Sequence, residues 1–366
     1  MAIDSVAGLV SLLRQRQLLD PSQLDEVIRV LQPRCGMPRV LAKELVRRGW
    51  LTVYQVNQIF DADGRDLVLG HYRLLDVLGK GAVSQVYKAW DTRKKIFVAL
   101  KVIHPELLTN TEALAQFQME MRAVSQLCHP NIVQALEPAT TLGNKQFFAM
   151  EYVEGNDLGK LVQLSGPLPV LKACDYIRQA ALGLQHAYER GLVHRDIKPA
   201  NLLVTNENTQ IKILDMGLAR LEWLRDEERM ASTIHRVQGG VMGSPDYMAP
   251  EQAVDPDSAD IRADIYSLGC TFYTLLTGQV PYPVGSLAQK LLKHQTADPP
   301  AAEEHRSDLP PTLPPVLRRM MAKRPADRYQ MPASVVAALA PLVRRDSGSS
   351  TNLRGLSSSS VTKNPA

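Results

Sequence analysis

The stretch that decides the fold is LVHRDIKPANLLV, residues 192–204. It places Asp196 and Asn201 five residues apart, with Pro199 between them. Proline lacks a backbone N–H and interrupts a regular helix, so a loop is expected here. Such a loop can turn both polar side chains toward one point. The apolar residues at 202–204 predict a short strand directly after it.

Two other segments contain charged residues that are candidates for the same site as this loop. A short strand predicted at 211–214 ends at Asp215, just before a glycine. Upstream, VALKVI at 98–103 places Lys101 in mid-strand among apolar neighbours. An unpaired buried ammonium is costly, so Lys101 needs a carboxylate partner. Glu120, on a helix predicted from about 111 to 127, is the natural candidate.

A glycine motif precedes these residues in LGKGAVSQVYKA, residues 78–89. Gly79 and Gly81 begin a fingerprint typical of hairpins that lie over nucleotide phosphates, but Ser84 stands where a third glycine would be. An incomplete motif of this kind fits a plain tight turn equally well. The rest of the chain has to decide between the two.

Composition narrows the class of protein. A length of 366 residues is sufficient for two domains. The hydrophobic share of 45% and the charged share of 22% are typical of soluble globular proteins. The net charge of +4 gives no reason to expect nucleic acid or an anionic membrane as a partner. The cysteines form no CxxC pair, which disfavours a zinc site and a disulfide scaffold and fits a reducing compartment. We see no signal peptide and no membrane span, and expect a cytoplasmic protein.

The first 66 residues predict a small bundle of short helices, ending in a turn or linker at 61–66. Asp20 before Pro21 is a typical helix start, and Thr52 is a candidate cap. The apolar faces comprise Leu9, Leu12 and Leu13; Leu24, Val27, Ile28 and Leu31; Val40, Leu41 and Leu45; and Tyr54, Val56, Ile59 and Phe60. The bundle could be a packing appendage or a docking or dimerisation module.

From about Leu67 the pattern changes to alternating β-branched and aromatic residues, which predicts antiparallel strands. Further strands are expected near 132–137 and 146–153, and mostly helices after Leu158. The fold class is therefore α+β, with a small β-rich lobe before a larger helical lobe. Residues 344–366 are serine-rich and poor in apolar residues, so we expect disorder there.

With these segments in order, the chain from about Tyr72 to Leu342 resembles the eukaryotic-like, bacterial-type serine/threonine protein kinases. The matching motifs are VALK at 98–101, FQMEM at 117–121, CHPNIV at 128–133, HRDIKPAN at 194–201, DMG at 215–217, MAPE at 248–251, ADIYSLG at 263–269 and RPADRY at 324–329. The resemblance implies a bilobal protein kinase domain over 72–342, and favours a phosphate cover at the glycine motif.

The resemblance also implies roles in phosphoryl transfer. Asp196 would accept the proton of the substrate hydroxyl, and Lys198 would steady the moving phosphoryl group. Lys101, held by Glu120, would pair with the α- and β-phosphates. The implied reaction is transfer of the γ-phosphoryl group of ATP to serine or threonine hydroxyls of proteins.

The implied cofactors are ATP and Mg²⁺, with Mn²⁺ as an alternative metal. Asp215 and Asn201 would hold the metal ions. The nucleotide would contact the glycine motif, the apolar residues around adenine, the hinge after the gatekeeper Met150, and Asp157 at the ribose. The nucleotide-binding set is Leu78, Gly79, Lys80, Gly81, Ala82, Val83, Ser84, Gln85, Val86, Ala99, Lys101, Glu151, Val153, Asp157 and Leu203.

Other residues are given structural roles by the same resemblance. Glu251 is expected to form a buried bridge with Arg328, and Asp264 to brace the backbone of the HRDIKPAN segment. His194 is expected to pack internally, and so is Met216, which replaces the phenylalanine of the family motif. Neither Met216 nor Ser84 removes a charged catalytic group.

Regulation is expected in the segment from Asp215 to Glu251. We hypothesise autophosphorylation of Ser232 or Thr233, whose phosphate could pair with Arg195. Self-association for trans-autophosphorylation is a related expectation. Ser244 is interpreted as a substrate-loop contact.

Two other functions stay open on sequence alone. A pseudokinase scaffold would bind nucleotide and partners without transfer, and Ser84 and Met216 favour it. A small-molecule kinase shares the Asp…Asn loop, although the long segment ending in MAPEQ is typical of protein kinases. Analysis of the phosphorylated product separates the three.

Overall fold

The computed structural model describes residues 3–62, 66–81, 84–104, 119, 121–143, 145–206, 209–216, 245–255 and 259–344. These residues form two compact units. The first contains the described residues up to His129 together with Val133–Glu154. The second contains Pro130–Ile132, Gly155–Met216 and the described residues from 245 onward.

The first unit begins with the predicted helices. They are α1 (Val6–Gln15), α2 (Pro21–Glu26), α3 (Pro38–Arg47) and α4 (Val53–Ala62), with a π-helical turn at Val27–Leu31 and a 3₁₀ turn at Gln32–Arg34 between α2 and α3. Their core is aliphatic, and Leu9, Leu13, Leu41 and Leu45 are fully buried. Val40, predicted on this apolar face, is 45% exposed, because α3 turns Leu41 and Leu45 inward instead.

Side-chain oxygens accept backbone N–H groups at the starts of α1, α2 and α4, where the helix itself offers no partner. Ser5 Oγ accepts the N–H of Gly8 at 3.0 Å. Pro21 opens α2, and Gln23 Oε1 accepts the N–H of Asp20 at 3.0 Å. Thr52 Oγ1 accepts the N–H of Gln55 at 3.1 Å, so the candidate cap at Thr52 is confirmed.

A six-stranded antiparallel sheet follows in the same unit. Its strands are β1 (Val68–Leu69), β2 (Tyr72–Lys80), β3 (Ser84–Asp91), β4 (Ile96–Ile103), β5 (Thr140–Leu142) and β6 (Lys145–Glu151), in the order β1-β2-β3-β4-β6-β5. Alternate β2 residues are buried at its start, where Tyr72 and Leu74 join the sheet core. The register of β2 against β3 shifts twice, between Leu74 and Asp76 and between Val77 and Gly79.

The prediction of a strand at 132–137 is wrong. This segment makes only isolated bridges, between Ile132 and Ile213 and between Ala135 and Met150. The prolines at 130 and 138 flank it, and proline cannot donate to a strand ladder. The edge strand is instead β5, which the sequence did not predict.

The second unit contains a three-stranded antiparallel sheet and most of the helices. The strands are β7 (Gly155–Asp157), β8 (Leu202–Thr205) and β9 (Ile211–Ile213). The helices are α5 (Leu158–Ser165), α6 (Val170–Tyr188), α7 (Ile261–Thr277), α8 (Leu287–Thr296), α9 (Ala302–His305), α10 (Leu313–Met320) and α11 (Pro332–Arg344), with 3₁₀ turns at Pro199–Asn201 and Pro325–Asp327.

Helix α7 is the central element of this unit. Every residue from Ile261 to Thr277 except Arg262 is buried. A Cβ at Gly269 would lie 2.8 Å from Met321 Cγ and 2.9 Å from Met320 Cβ, so glycine allows the end of α10 to approach closely. In the part of the chain that the structure describes, no helix is both long and apolar enough to cross a membrane.

Candidate active site

The HRD loop, residues 194–201, brings its polar side chains together as the sequence predicts. Asn201 Nδ2 donates to the backbone oxygen of Asp196 at 2.8 Å and to Asp196 Oδ2 at 2.9 Å. Lys198 Nζ lies 2.7 Å from the same Oδ2. The 3₁₀ turn at Pro199–Asn201 produces this return of the chain. The Asp196 carboxylate is therefore held by one amide and one ammonium.

Asp264 of α7 fixes the start of the HRD loop. Its Oδ2 accepts the N–H of His194 and its Oδ1 accepts the N–H of Arg195, each at 2.7 Å. Arg195 has a φ of 67°, a conformation that costs free energy for a residue other than glycine. Burial raises the pKa of Asp264, and the two N–H donors and Arg195 act in the opposite direction. The predicted bracing role of Asp264 is confirmed.

His194 links the HRD loop to the strand that leads to Asp215. The N–H of Asp196 donates to His194 Nδ1 at 3.2 Å, so Nδ1 must be unprotonated. Nε2 then carries the hydrogen and donates to the backbone oxygen of Leu214 at 2.7 Å. His194 is 1% exposed, as expected of a packing residue. Its ring therefore orients the backbone and is engaged on both nitrogens.

A backbone hydrogen bond connects the segments that carry the two candidate metal ligands, Asn201 and Asp215. The N–H of Leu214 donates to the backbone oxygen of Asn201 at 2.9 Å, which brings the residue before Asp215 beside Asn201. Asp215 has a φ of 57°, so the chain turns sharply at this carboxylate. Asn201 Nδ2 donates its hydrogen bonds to Asp196, so the side-chain amide oxygen of Asn201 is the atom that could coordinate a metal ion. Carboxylate and amide oxygens are ligands that Mg²⁺ accepts, so the residues fit this metal.

Lys101 lies in the first unit, near the middle of β4. It is 4% exposed and stands between Val86 of β3 and Phe148 of β6. Ala99, two residues earlier, is also buried and stands opposite Met150. An ammonium at such a position has lost most of its water, as predicted. Its predicted partner Glu120 lies outside the described residues.

The glycine motif forms a hairpin end between β2 and β3. Gly79 stands opposite Val86 and Lys80 opposite Gln85, and the N–H of Gly81 donates to Ser84 O at 2.8 Å. Ser84 is only 4% exposed. Ala82 and Val83 lie outside the described residues, and Leu78 is 44% exposed. Among the residues that the structure describes, none comes within 4 Å of a Cβ placed at Gly79.

The predicted hinge begins at the end of β6. Glu151 is tied to Gln134 by two hydrogen bonds, in which the N–H of Glu151 donates to Gln134 O at 2.9 Å and Glu151 Oε1 accepts the N–H of Gln134 at 2.9 Å. Met150 is 8% exposed, and Val153 is half-buried. These bonds fix the direction of the chain as it leaves the sheet.

In the second unit, Asp157 and Leu203 lie opposite each other in β7 and β8. Asp157 Oδ1 accepts the N–H of Lys160 at 2.8 Å and so caps α5. Its Oδ2 lies 3.2 Å from Lys160 Nζ. The carboxylate predicted at the ribose thus also has a structural role.

The expected pair of Glu251 and Arg328 is present. Arg328 Nη1 and Nη2 donate to Glu251 Oε1 and Oε2 at 2.6 and 2.8 Å, in a bidentate arrangement. Arg328 is fully buried, and its other N–H groups donate to the backbone oxygens of Ala322, Arg262 and Lys323. The bridge joins the MAPE segment to the RPADRY segment.

Sequence reasoning missed Gln252. Its Nε2 donates to the backbone oxygen of Arg195 at 2.9 Å, so it holds the strained residue of the HRD loop from a second side. The glutamine directly after MAPE was the only signal available. Ser232, Thr233 and Ser244 lie outside the described residues.

The arrangement of the HRD loop, of the Asp215 turn and of Asp264 points to one class of protein, and comparison with known proteins agrees. The family model described as protein kinase domain matches residues 72–338. This chain belongs to the protein kinase domain family, and the predicted bacterial-type serine/threonine branch is confirmed by its relatives.

Two relatives illustrate the similarity. The serine/threonine-protein kinase PknB of Mycobacterium leprae (strain TN) is 34% identical over 271 residues, which are 73% of this chain and 42% of the relative. The serine/threonine-protein kinase pkn3 of Myxococcus xanthus is 34% identical over 276 residues, which are 74% of this chain and 49% of the relative. The chain thus spans less than half the length of either relative.

A solved structure confirms the predicted fold. The Mycobacterium tuberculosis PknI kinase domain matches with a TM-score of 0.58 and 27% identity, and the match covers 75% of this chain and 97% of that one. The α+β protein kinase fold expected from the sequence is therefore correct.

Proposed function

We propose that this chain is an ATP-dependent serine/threonine protein kinase. The single observation that carries the proposal is the Asp196 carboxylate, held by Lys198 and Asn201 within a loop that Asp264 and His194 fix from behind. Phosphoryl transfer needs positioning and charge stabilisation more than covalent chemistry, and this loop offers both.

In the proposed reaction, the substrate hydroxyl approaches Asp196, whose carboxylate accepts the proton. The hydroxyl oxygen then forms a bond to the γ-phosphorus of ATP, and the bond to the β-γ bridging oxygen breaks, leaving ADP. Lys198 stabilises negative charge on the moving group. Mg²⁺, when bound, would neutralise phosphate charge, and Asp215 and Asn201 are its proposed ligands.

The first unit would supply the nucleotide contacts. We assign Lys101, with Glu120 as its partner, to the α- and β-phosphates. The hairpin at 78–86 is assigned to the phosphates as a cover, and the backbone of Glu151 and Val153 to the edge of adenine. The buried positions of Lys101 and Ala99 on β4, and the absence of any described residue within 4 Å of a Cβ at Gly79, support these assignments.

Several finer expectations stay proposals. The domain limits are 1–66, 72–342 and 344–366, and the metal is Mg²⁺ with Mn²⁺ as an alternative. Protein substrates follow from the family, while self-association and autophosphorylation at Ser232 or Thr233 are proposed. A cytoplasmic location stays a prediction from composition.

The test is phosphate transfer from labelled ATP with Mg²⁺ to a generic basic protein, followed by phosphoamino-acid analysis. We expect label on serine or threonine with the wild type and none with Asp196→Asn. Equal labelling by both proteins, or none by the wild type, would contradict the proposal.

A further inference from the structure

Helix α4 of the N-terminal bundle is fastened to strand β2 through its first turn. Thr52 Oγ1 donates to the backbone oxygen of Leu75 at 2.5 Å. Gln55 Nε2 donates to the backbone oxygen of Leu74 at 2.8 Å. Two consecutive carbonyl groups of a sheet strand are therefore bonded by side chains from outside the sheet.

These carbonyls lie where the pairing of β2 with β3 is interrupted. Leu74 stands opposite Ala89 and Asp76 opposite Lys88, so Leu75 is an extra residue in the manner of a β-bulge. A bulge disrupts the hydrogen-bond ladder locally, and buried backbone groups need partners. Thr52 and Gln55 provide hydrogen-bond partners at this break.

The orientation of the Gln55 amide is determined by its partners. Gln55 Oε1 accepts the N–H of Thr52 at 2.9 Å, and that donor requires an oxygen. The amide nitrogen must then face Leu74. Gln55 is only 2% exposed, although glutamine is ordinarily a surface residue. A buried side-chain amide whose oxygen and nitrogen are both hydrogen-bonded indicates a specific contact between α4 and β2.

Further contacts hold the bundle against the same two strands. The rings of Tyr54 and Tyr87 lie 6.2 Å apart between centroids. Arg73 Nη1 of β2 lies 3.0 Å from Asp20 Oδ1, at the start of α2. The bundle therefore contacts β2 and β3 through several side chains.

Strand β2 runs from this contact directly into the hairpin at 78–86 that carries the glycine motif, called the glycine hairpin below. Gly79 comes four residues after Leu75, and the second register shift lies between Val77 and Gly79. Bulges bend a strand and increase its twist. The position of Gly79 and Gly81 therefore depends on how the first bulge is held.

We propose that Thr52 and Gln55 are positioning residues for nucleotide binding, which act by holding the Leu74–Leu75 bulge and through it the glycine hairpin. The inference rests on the proposed kinase function. It assigns to the N-terminal helices a part in setting the affinity for ATP. Neither side chain need touch the nucleotide.

The main test variant is Gln55→Glu, which keeps the acceptor for Thr52 but turns an oxygen toward Leu74 O. We expect the KM for ATP to rise about fivefold or more, within the range of coupling between distant sites, with a smaller change in kcat. Irreversible loss of folded molecules would lower the apparent kcat and leave KM unchanged, whereas reversible unfolding would raise KM by the reciprocal of the folded fraction. A fivefold rise from unfolding alone would require a folded fraction of about one fifth, so urea unfolding of each variant under the assay conditions separates positioning from stability.

Gln58→Glu is the matched control, since it adds the same charge to the same helix at a half-buried residue. Thr52→Val and Thr52→Ser form a second pair: the first removes the hydroxyl and should raise KM, while the second keeps it and should not. This pair keeps the proposal testable if Gln55→Glu does not fold.

A wild-type KM in both Gln55→Glu and Thr52→Val would overturn the proposal, as would an equal rise in Gln58→Glu. Titration of all variants with a fluorescent ATP analogue gives dissociation constants without transfer. If the wild type transfers no phosphate, the proposed function fails, while the ratio of dissociation constants still tests the role of Gln55.

Discussion

Asp264 accepts the backbone N–H of His194 at 2.7 Å from a position with no exposed surface. Its other oxygen accepts the next N–H, at Arg195, so one side chain of α7 fixes two consecutive peptide groups. The residue after these is Asp196. The central helix of the second unit thus determines where the proposed catalytic carboxylate lies.

Replacement of Asp264 by asparagine should weaken both stability and activity. An amide group can accept at only one end, so one N–H of the HRD loop loses its acceptor. We expect the free energy of unfolding to fall by about 1–3 kcal/mol. The transfer rate should fall about 10- to 100-fold through displacement of Asp196. Urea unfolding and a kinase assay measure the two effects. Asp260→Asn, at the cap of the same helix, should change neither appreciably, because asparagine also caps helices.

Removal of Glu251 should destabilise the second unit strongly. Glu251→Ala leaves the fully buried Arg328 guanidinium without its carboxylate. Breaking a buried ion pair from one side costs about 3–5 kcal/mol, and denaturant unfolding measures it. Glu303→Ala is the control, since Glu303 pairs with Arg318 on the surface. That change should cost less than about 1 kcal/mol, and equal losses in the two variants would contradict the prediction.

Asn201→Ala should raise the requirement for Mg²⁺. The substitution removes the proposed amide ligand and both hydrogen bonds to Asp196. We expect the Mg²⁺ concentration for half-maximal activity to rise about tenfold or more, with a lower kcat. Initial rates across a Mg²⁺ series at constant ATP measure this. Asn156→Ala, at an exposed position of β7, should leave the series unchanged.

Stability should fall as the pH drops from about 6.5 to 4, partly because of His294. Its ring is fully buried beside Tyr266 and near Lys323, and burial lowers its pKa from 6.5 to about 4. Between these values the unfolded chain binds a proton at His294 that the folded chain does not. The resulting decrease in the free energy of unfolding should reach about 3 kcal/mol near pH 4 and then level off at lower pH.

His294→Gln should flatten this part of the pH profile, which thermal unfolding at several pH values would measure. The exposed His305 offers a control, as His305→Gln should keep the wild-type slope. An unchanged slope in His294→Gln would show that other groups cause the acid loss.

The HRD loop was predictable because its residues are consecutive and each has a fixed chemical role. Asp196, Lys198 and Asn201 meet within one turn of chain, so the motif alone fixes their proximity. Asp264 could be assigned only through the family resemblance, since nothing in local periodicity links it to residues 70 positions earlier.

The errors and omissions have physical causes. IVQAL at 132–136 has the composition of a strand, yet flanking prolines leave it with isolated bridges. The contacts of Thr52 and Gln55 with β2 went unpredicted, because a side chain bonded to a carbonyl in another element leaves no periodic signal. Sequence pattern indicates which face of α4 is apolar, but it does not indicate which polar residue on that helix will be buried.

The near-complete burial of α7 bears on how the second unit opens. With only Arg262 outside the interior, the helix has no solvent-facing edge along which its turns could fray one at a time. Its amide hydrogens can exchange with deuterium only when the surrounding helices separate from it. The slowest-exchanging amides of this unit should therefore lie between Ile265 and Leu276. The opening free energy calculated from their exchange rates should equal the free energy of global unfolding of the second unit.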